Sequence, residues 1–327
     1  MATADQVKAL VKSHGEGDDT RFYSVALQVA AGAARNGHGR FAQELKELVD
    51  TLRRRSTSAV AHGKLVAVAQ PRGELAQLLS VSYPELTLAD MSLSPDVRQR
   101  LERIILEQRQ ADRLHSYGFQ PVRRLLLTGA PGTGKTMSAK VMAGELRLPL
   151  FAIRLDGLIT KFMGETAAKM RLIFDALAET RGVYLFDEVD ALAGERVHGN
   201  DVGEIRRVLN SFLQFLEGHS SESLLIAATN HPQLLDRAIF RRFDAVIEYP
   251  VPDPAVARQV IRNRLATVDV AGLNWAEIDR AAEGLSQGEI TIAAELAAKD
   301  AILTGGGPVT TVALCSALQA RRADHTG

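Results

Sequence analysis

Long apolar runs are missing from this chain. No stretch of its 327 residues approaches the ~20 needed to span a bilayer. The start, Met1-Ala2-Thr3-Ala4-Asp5, lacks the charged and apolar regions of a signal peptide. Cysteine is nearly absent, and the single Cys315 excludes an internal disulfide and suits a reducing compartment. Neither sign of charge is in excess. Lys+Arg and Asp+Glu each number 39, so no global field draws the chain to nucleic acid or an anionic membrane. There is no His-Glu-x-x-His for a built-in zinc protease, no internal repeat and no low-complexity tract. These absences lead to the expectation of a soluble, cytoplasmic protein with no membrane partner. What is present is ordinary globular composition: 46% hydrophobic and 24% charged residues exclude wholesale disorder. The length leaves room for two or three domains.

Hydrophobic spacing divides the chain into four parts. Residues 1–55 read as a helical N-terminal domain with stripes at Val7, Leu10 and Val11, at Phe22, Val25, Ala26 and Val29, and at Phe41, Leu45, Leu48, Val49 and Leu52. It ends in Arg53-Arg54-Arg55, which suits a helix C-terminus and a solvated face better than a nucleic-acid contact. Residues 56–90, broken by Pro71, Gly73 and Tyr83-Pro84, read as a linker. Residues 91–250 alternate helices with five apolar runs that read as buried strands: 125–128, 150–153, 183–186, 224–228 and 245–249. That alternation implies a mostly parallel sheet covered on both faces, a three-layer α/β sandwich. After Pro250-Val251-Pro252-Asp253-Pro254, residues 251–327 read as a small, Ala-rich helical domain.

The sharpest motif is Gly129-Ala130-Pro131-Gly132-Thr133-Gly134-Lys135-Thr136, a complete Gly-x-x-x-x-Gly-Lys-Ser/Thr between a strand and a helix that carries Met137. Glycines at this spacing let backbone N–H groups curl round a polyphosphate; Lys135 reaches the β and γ oxygens, and Thr136 offers a hydroxyl to Mg²⁺. The chain is therefore expected to bind a nucleoside triphosphate. The run Val183–Phe186 ends in Asp187-Glu188, at the strand end where open α/β sheets bind ligands. Asp187 is placed to hold Mg²⁺ and Glu188 to orient and polarise an attacking water. Asp190 lies close by without an assigned role. Asn230, after the run 224–228, either hydrogen-bonds the γ-phosphate or simply makes a turn. Arg241 and Arg242 suggest guanidinium groups that stabilise a transferring phosphoryl, or else salt bridges to Asp236 or Asp244.

Taken in order, these motifs resemble the AAA+ ATPases of the AAA clade proper, in a bacterial-type, single-ring form built on the P-loop NTPase fold. Gly129–Thr136 resembles Walker A, Val183–Glu188 Walker B, Asn230 sensor 1, and Leu235–Asp244 the region carrying arginine fingers. Gly284-Leu285-Ser286-Gln287-Gly288-Glu289-Ile290 is similar to the family's lid motif, with Leu285 in place of an aromatic. The resemblance implies ATP and Mg²⁺ as cofactors and a homo-oligomeric, hexameric ring. Arg241 and Arg242 would reach a neighbour's ATP, and Gly288 would pack near ribose and adenine. Lys161-Phe162-Met163-Gly164 resembles a pore loop, in which an aromatic and a methionine give a sequence-tolerant grip on polypeptide. The bland alternative makes Phe162 and Met163 core residues under a helix. Gly194–Gly203 is a second pore loop or only a connection. The expected function is an ATP-hydrolysing motor that threads or remodels a protein client; its rival is an ATP-driven assembly switch acting on a partner. Neutral charge and the pore-type motif argue against nucleic acid.

Overall fold

The computed structural model describes residues 71, 73–158, 163–192, 202–218, 221–270, 272–304 and 307–323, with single positions at 26, 29 and 43. The chain divides into two compact units, Met1–Val68 and Ala69–Gly327. In the first unit Ala26, Val29 and Gln43 are helical, and Ala26 and Val29 are buried. The other helical stripes expected over 1–55 lie outside the described residues.

In the second unit the elements run α1 (Leu75–Leu78), β1 (Leu79–Ser82), α2 (Pro95–Arg109), α3 (Ala111–Ser116), β2 (Arg124–Gly129), α4 (Lys135–Leu146), β3 (Leu150–Ile153) and α5 (Leu155–Leu158). There follow α6 (Met163–Glu179), β4 (Val183–Phe186), α7 (Val202–Gly218), β5 (Leu224–Thr229), α8 (Arg237–Phe240) and β6 (Ala245–Tyr249). The sheet order is β1-β3-β4-β5-β2-β6. Every neighbouring pair is parallel except β1 with β3, so the sheet is mixed and mostly parallel.

Five strands fall where continuous apolar runs were read, and the reason is burial on both faces. Leu125 and Leu127 pack with Leu101, Ile104 and Met142 from α2 and α4. Leu126 packs on the other side, with Phe174, Phe186 and Phe212. The Phe186 and Phe212 rings lie 5.0 Å apart at 58°. The sixth strand, β1, corrects the expected count of five, and it falls inside the stretch 56–90 read as linker. Leu79-Ser80-Val81-Ser82 is too short and too polar to announce itself, and as an edge strand it needs only β3. The stretch that follows it also joins the core, since Leu88, Met91 and Leu93 are buried with α2 and α4.

Beyond β6 come α9 (Pro254–Arg264), α10 (Trp275–Ala282), α11 (Gln287–Leu303) and α12 (Thr311–Ala323), packed around Ile261, Ile278, Ile290 and Leu314. Ala293, Ala294 and Ala297 keep α11 slim enough for close helix contact. Sequence-level caps set the starts. Asp253 accepts the Val256 N–H at 2.8 Å ahead of Pro254, and Ser286 with Glu289 forms a capping box. Among the described residues no helix is long and apolar enough to cross a membrane.

Phe186 is fully buried within this aromatic cluster. Phe186→Ala is expected to cost about 3–5 kcal/mol, read as a fall in urea midpoint at unchanged slope. A loss under about 1 kcal/mol would contradict its place in the core.

Candidate active site

β2 delivers the phosphate-loop sequence at its C-terminal end, where three glycines take positive backbone φ angles that favour glycine. Gly129, Gly132 and Gly134 have φ of 143°, 74° and 102°. Gly129 has a second reason to be glycine: a Cβ there would stand 2.4 Å from the Tyr249 carbonyl oxygen on β6. Gly134 is the N-cap of α4, so the helix begins at Lys135 with its first N–H groups turned toward the loop. Thr133 is buried and its hydroxyl donates to Ala130 O at 2.8 Å, closing the loop on itself. Pro131 is exposed on the loop's outer side, and half-buried Met137 packs on the α2–α4 core. Beneath, Ser138 Oγ lies 2.6 Å from the Tyr249 hydroxyl and 3.0 Å from Gly134 O.

Lys135 is only 5% exposed, and its Nζ donates to Gly129 O and Ala130 O, each at 2.8 Å. Burial pushes its ammonium below the ordinary value, while negative charge on Asp187 and Asp190 opposes that shift. Thr136 Oγ1 donates to Asp187 Oδ2 at 2.7 Å, joining the start of α4 to the end of β4. Glu188 follows with φ of 54°, a left-handed conformation that costs a non-glycine residue roughly 1–2 kcal/mol. Its N–H donates to Asp187 Oδ1 at 3.1 Å, and its side chain is exposed.

Asp190 turns out to be the connection to the neighbouring strand. Its Oδ1 accepts from the Thr229 hydroxyl at 2.7 Å and the Asn230 N–H at 3.3 Å. Asn230 is thereby fixed by its backbone, and its side-chain amide makes no bond among the described residues. The helical domain also reaches the loop. The Gly288 N–H donates to Gly132 O at 2.9 Å, and the Ser286 hydroxyl lies against Gly132. Asn263 Nδ2 donates to Ser92 Oγ at 3.2 Å nearby in the fold.

The two arginines have different surroundings. Arg242 Nε stands 2.7 Å from Glu217 Oε1 on α7, and its Nη1 donates to Ala238 O at 2.8 Å. Arg241 is exposed and makes no bond among the described residues. Asp236 and Asp244 are engaged elsewhere, Asp236 capping α8 and Asp244 pairing with Arg124 at 2.6 Å. Register locates this corner. Leu125 pairs with Ala245 and Gly129 with Tyr249, so Arg241 precedes the start of β6 while the phosphate loop follows the end of β2. Four strand residues at ~3.3 Å each put about 13 Å between those ends.

The structure therefore brings together Gly129–Thr136, Asp187, Glu188, Asn230 and Gly288, and holds Arg241 and Arg242 apart from them. Lys161 and Phe162 lie outside the described residues; Met163 and Gly164 open α6. Of Gly194–Gly203 only Val202 and Gly203 are described, in the first turn of α7. Sequence reading gave no role to Asp190, Ser138, Tyr249 or Glu217. Asp190 alone left a trace, three residues beyond Asp187.

The family model described as "ATPase family associated with various cellular activities (AAA)" matches residues 125–251. An uncharacterized AAA family ATPase of Sinorhizobium fredii, y4kL, is 34% identical over 291 residues, which cover 89% of this chain and 86% of that protein. The ATP-dependent zinc metalloprotease FtsH of Helicobacter felis is 31% identical over 230 residues, covering 67% of this chain and only 36% of that protein. Among solved structures, the FIGL-1 AAA domain superimposes with a TM-score of 0.61 at 27% identity, covering 74% of this chain and 85% of that one.

Two glycines of positive φ separate crowding from backbone strain. Gly129→Ala meets the Tyr249 carbonyl and is expected to cost at least about 3 kcal/mol. Gly118→Ala, with open space around it, should cost only about 1 kcal/mol. Equal losses in chemical denaturation would refute the close β2–β6 approach.

Proposed function

The chain belongs to the AAA family of ATPases and hydrolyses ATP, and from that premise we propose that it is a homo-oligomeric ring motor acting on protein clients, each active site being completed by Arg241 of the next subunit. The observation that carries this reading is the position of Arg241. It is exposed and without a partner among the described residues, at the end of the sheet remote from its own phosphate loop. A guanidinium so placed serves another molecule's phosphate, and a head-to-tail contact repeated by rotation closes a ring, which we take to be a hexamer. Arg242, held by Glu217 and Ala238, positions the corner.

The donor set fits Mg-ATP. Thr136 Oγ1 and Asp187 Oδ2 are two hard oxygens side by side, as suits a cation that takes few protein ligands and completes its shell with phosphate and water. Held by Thr136 and Asp187, Mg²⁺ would supply positive charge to neutralise the phosphate oxygens. The glycines at positive φ leave the loop's N–H groups free to cradle the phosphates, and Lys135 exchanges its two carbonyl partners for the β and γ oxygens. Glu188 takes a proton from water as its oxygen bonds to the γ-phosphorus and the bond to the β-phosphate oxygen breaks, releasing ADP. Asn230, anchored through Asp190, turns its amide to the γ-phosphate or to that water. The Gly288–Gly132 bond gives the helical lid direct hold of the loop, so a change at the phosphates shifts the lid. Lys161, Phe162, Met163 and Gly164 then grip and pull a client polypeptide. The metalloprotease named above couples ATP to cleavage of protein; this chain spans 36% of it and carries no His-Glu-x-x-His, so the shared part supports an ATP-driven action on protein.

Arg241→Ala should lower ATP turnover by about 10³-fold while ATP binding persists, measured by steady-state hydrolysis and nucleotide titration. Turnover near wild type would remove the trans arginine from the account. Phe162→Ala is expected to keep hydrolysis within about twofold and to abolish unfolding of a client captured on Glu188→Gln. Full client processing by Phe162→Ala would favour an assembly switch over threading.

A further inference from the structure

A buried polar chain runs beneath the phosphate loop. Tyr249 ends β6 with only 3% of its surface exposed, and Ser138, in the first turn of α4, is fully buried. Their hydroxyl oxygens lie 2.6 Å apart, and Ser138 Oγ is 3.0 Å from Gly134 O. The directions follow from the hydrogens available. Gly134 O can only accept, so the Ser138 hydroxyl donates to it; the buried Met91 thioether, at 3.7 Å, is a weaker competitor. Tyr249 then donates to Ser138 Oγ. Burial pushes its phenol above the ordinary value, so it keeps that proton throughout the working pH range.

The end of the chain acts on the loop through one peptide unit. The peptide joining Gly134 to Lys135 is planar and trans, so its C=O and N–H point in opposite directions. Gly134 O takes the Ser138 hydroxyl and, at 2.9 Å, the Ser138 N–H. The Lys135 N–H therefore faces the loop, as one of the first helix donors with no partner inside α4. Gly134, at φ 102°, has no side chain of its own to hold that plane. The other ties can move. On the proposed mechanism Lys135 leaves Gly129 O and Ala130 O, and the Gly288 bond to Gly132 shifts with the lid.

We propose that Tyr249 is a positioning residue for nucleotide binding: through Ser138 it fixes the Gly134–Lys135 peptide plane, and with it an N–H aimed at the phosphates. The relay strengthens the bond to Gly134, because a hydrogen received by Ser138 polarises the one it gives. The proposal rests on nucleotide binding at this loop and is independent of Arg241 acting in trans.

The test titrates the full chain with Mg-ADP by calorimetry and follows urea unfolding in parallel, for Tyr249→Phe, Ser138→Ala and the double variant. Ser138→Ala strands the buried Tyr249 hydroxyl and should lower the urea midpoint. The double variant removes both hydroxyls and should bring the midpoint back. Affinity should not follow stability: Mg-ADP binding about fivefold weaker is expected in all three. Affinity that returns with the midpoint in the double variant reduces the pair to packing and overturns the proposal. Wild-type affinity in Tyr249→Phe overturns it too, with nucleotide binding itself left standing. A wild type that binds no Mg-ADP overturns nucleotide binding and the positioning role together.

Discussion

β2 and β6 lie side by side and run in the same direction. Their register puts Gly129 against Tyr249 at one end and Arg124 near Asp244 at the other. The first pairing is tight enough that only glycine fits, and Tyr249 then reaches Ser138 under the first turn of α4. The second locks the strand starts through two backbone N–H groups and a charged pair on one carboxylate. Everything functional follows from which end a residue occupies. The loop, the acidic strand end and Asn230 gather where β2, β4 and β5 finish, while the arginine corner sits where β6 starts. On the proposed reading, one chain carries both halves of a phosphoryl-transfer site at opposite strand ends and needs a second copy to join them.

A network of short polar contacts turns the loop end into a unit. Thr136 is tied to Asp187, Asp187 to the Glu188 amide, Asp190 to Thr229 and Asn230, and Gly132 to Gly288. All but the Asp187–Glu188 contact join residues of different elements. Glu188 carries the strained backbone within this unit, as a residue does when its direction matters more than its comfort. Burial lowers the proton affinity of Lys135 while the nearby carboxylates Asp187 and Asp190 oppose that shift.

Much of this was legible in the chain itself, for physical reasons that differ between elements. Strands buried on both faces leave continuous apolar runs such as Leu125-Leu126-Leu127, which need no alignment to see. The phosphate loop is legible because its backbone angles demand glycine at fixed intervals. β1 was hidden because an edge strand of four residues with two serines carries too little pattern. Asp190 was half hidden: its neighbourhood was visible, but its bond to Thr229 spans strands and exists only once the sheet is assembled. Arg241 and Arg242 could not be told apart as adjacent letters. Their difference is made by Glu217, which reaches the corner from α7.

The central claim is that hydrolysis needs two copies of the chain. It is tested most directly by mixing two inactive variants, Lys135→Ala and Arg241→Ala, and measuring ATP turnover as the ratio is varied. A junction with Lys135 from one subunit and Arg241 from its neighbour is complete, so turnover should rise from near zero to a maximum at intermediate ratios. Turnover that stays at the sum of the two parents at every ratio would contradict the account.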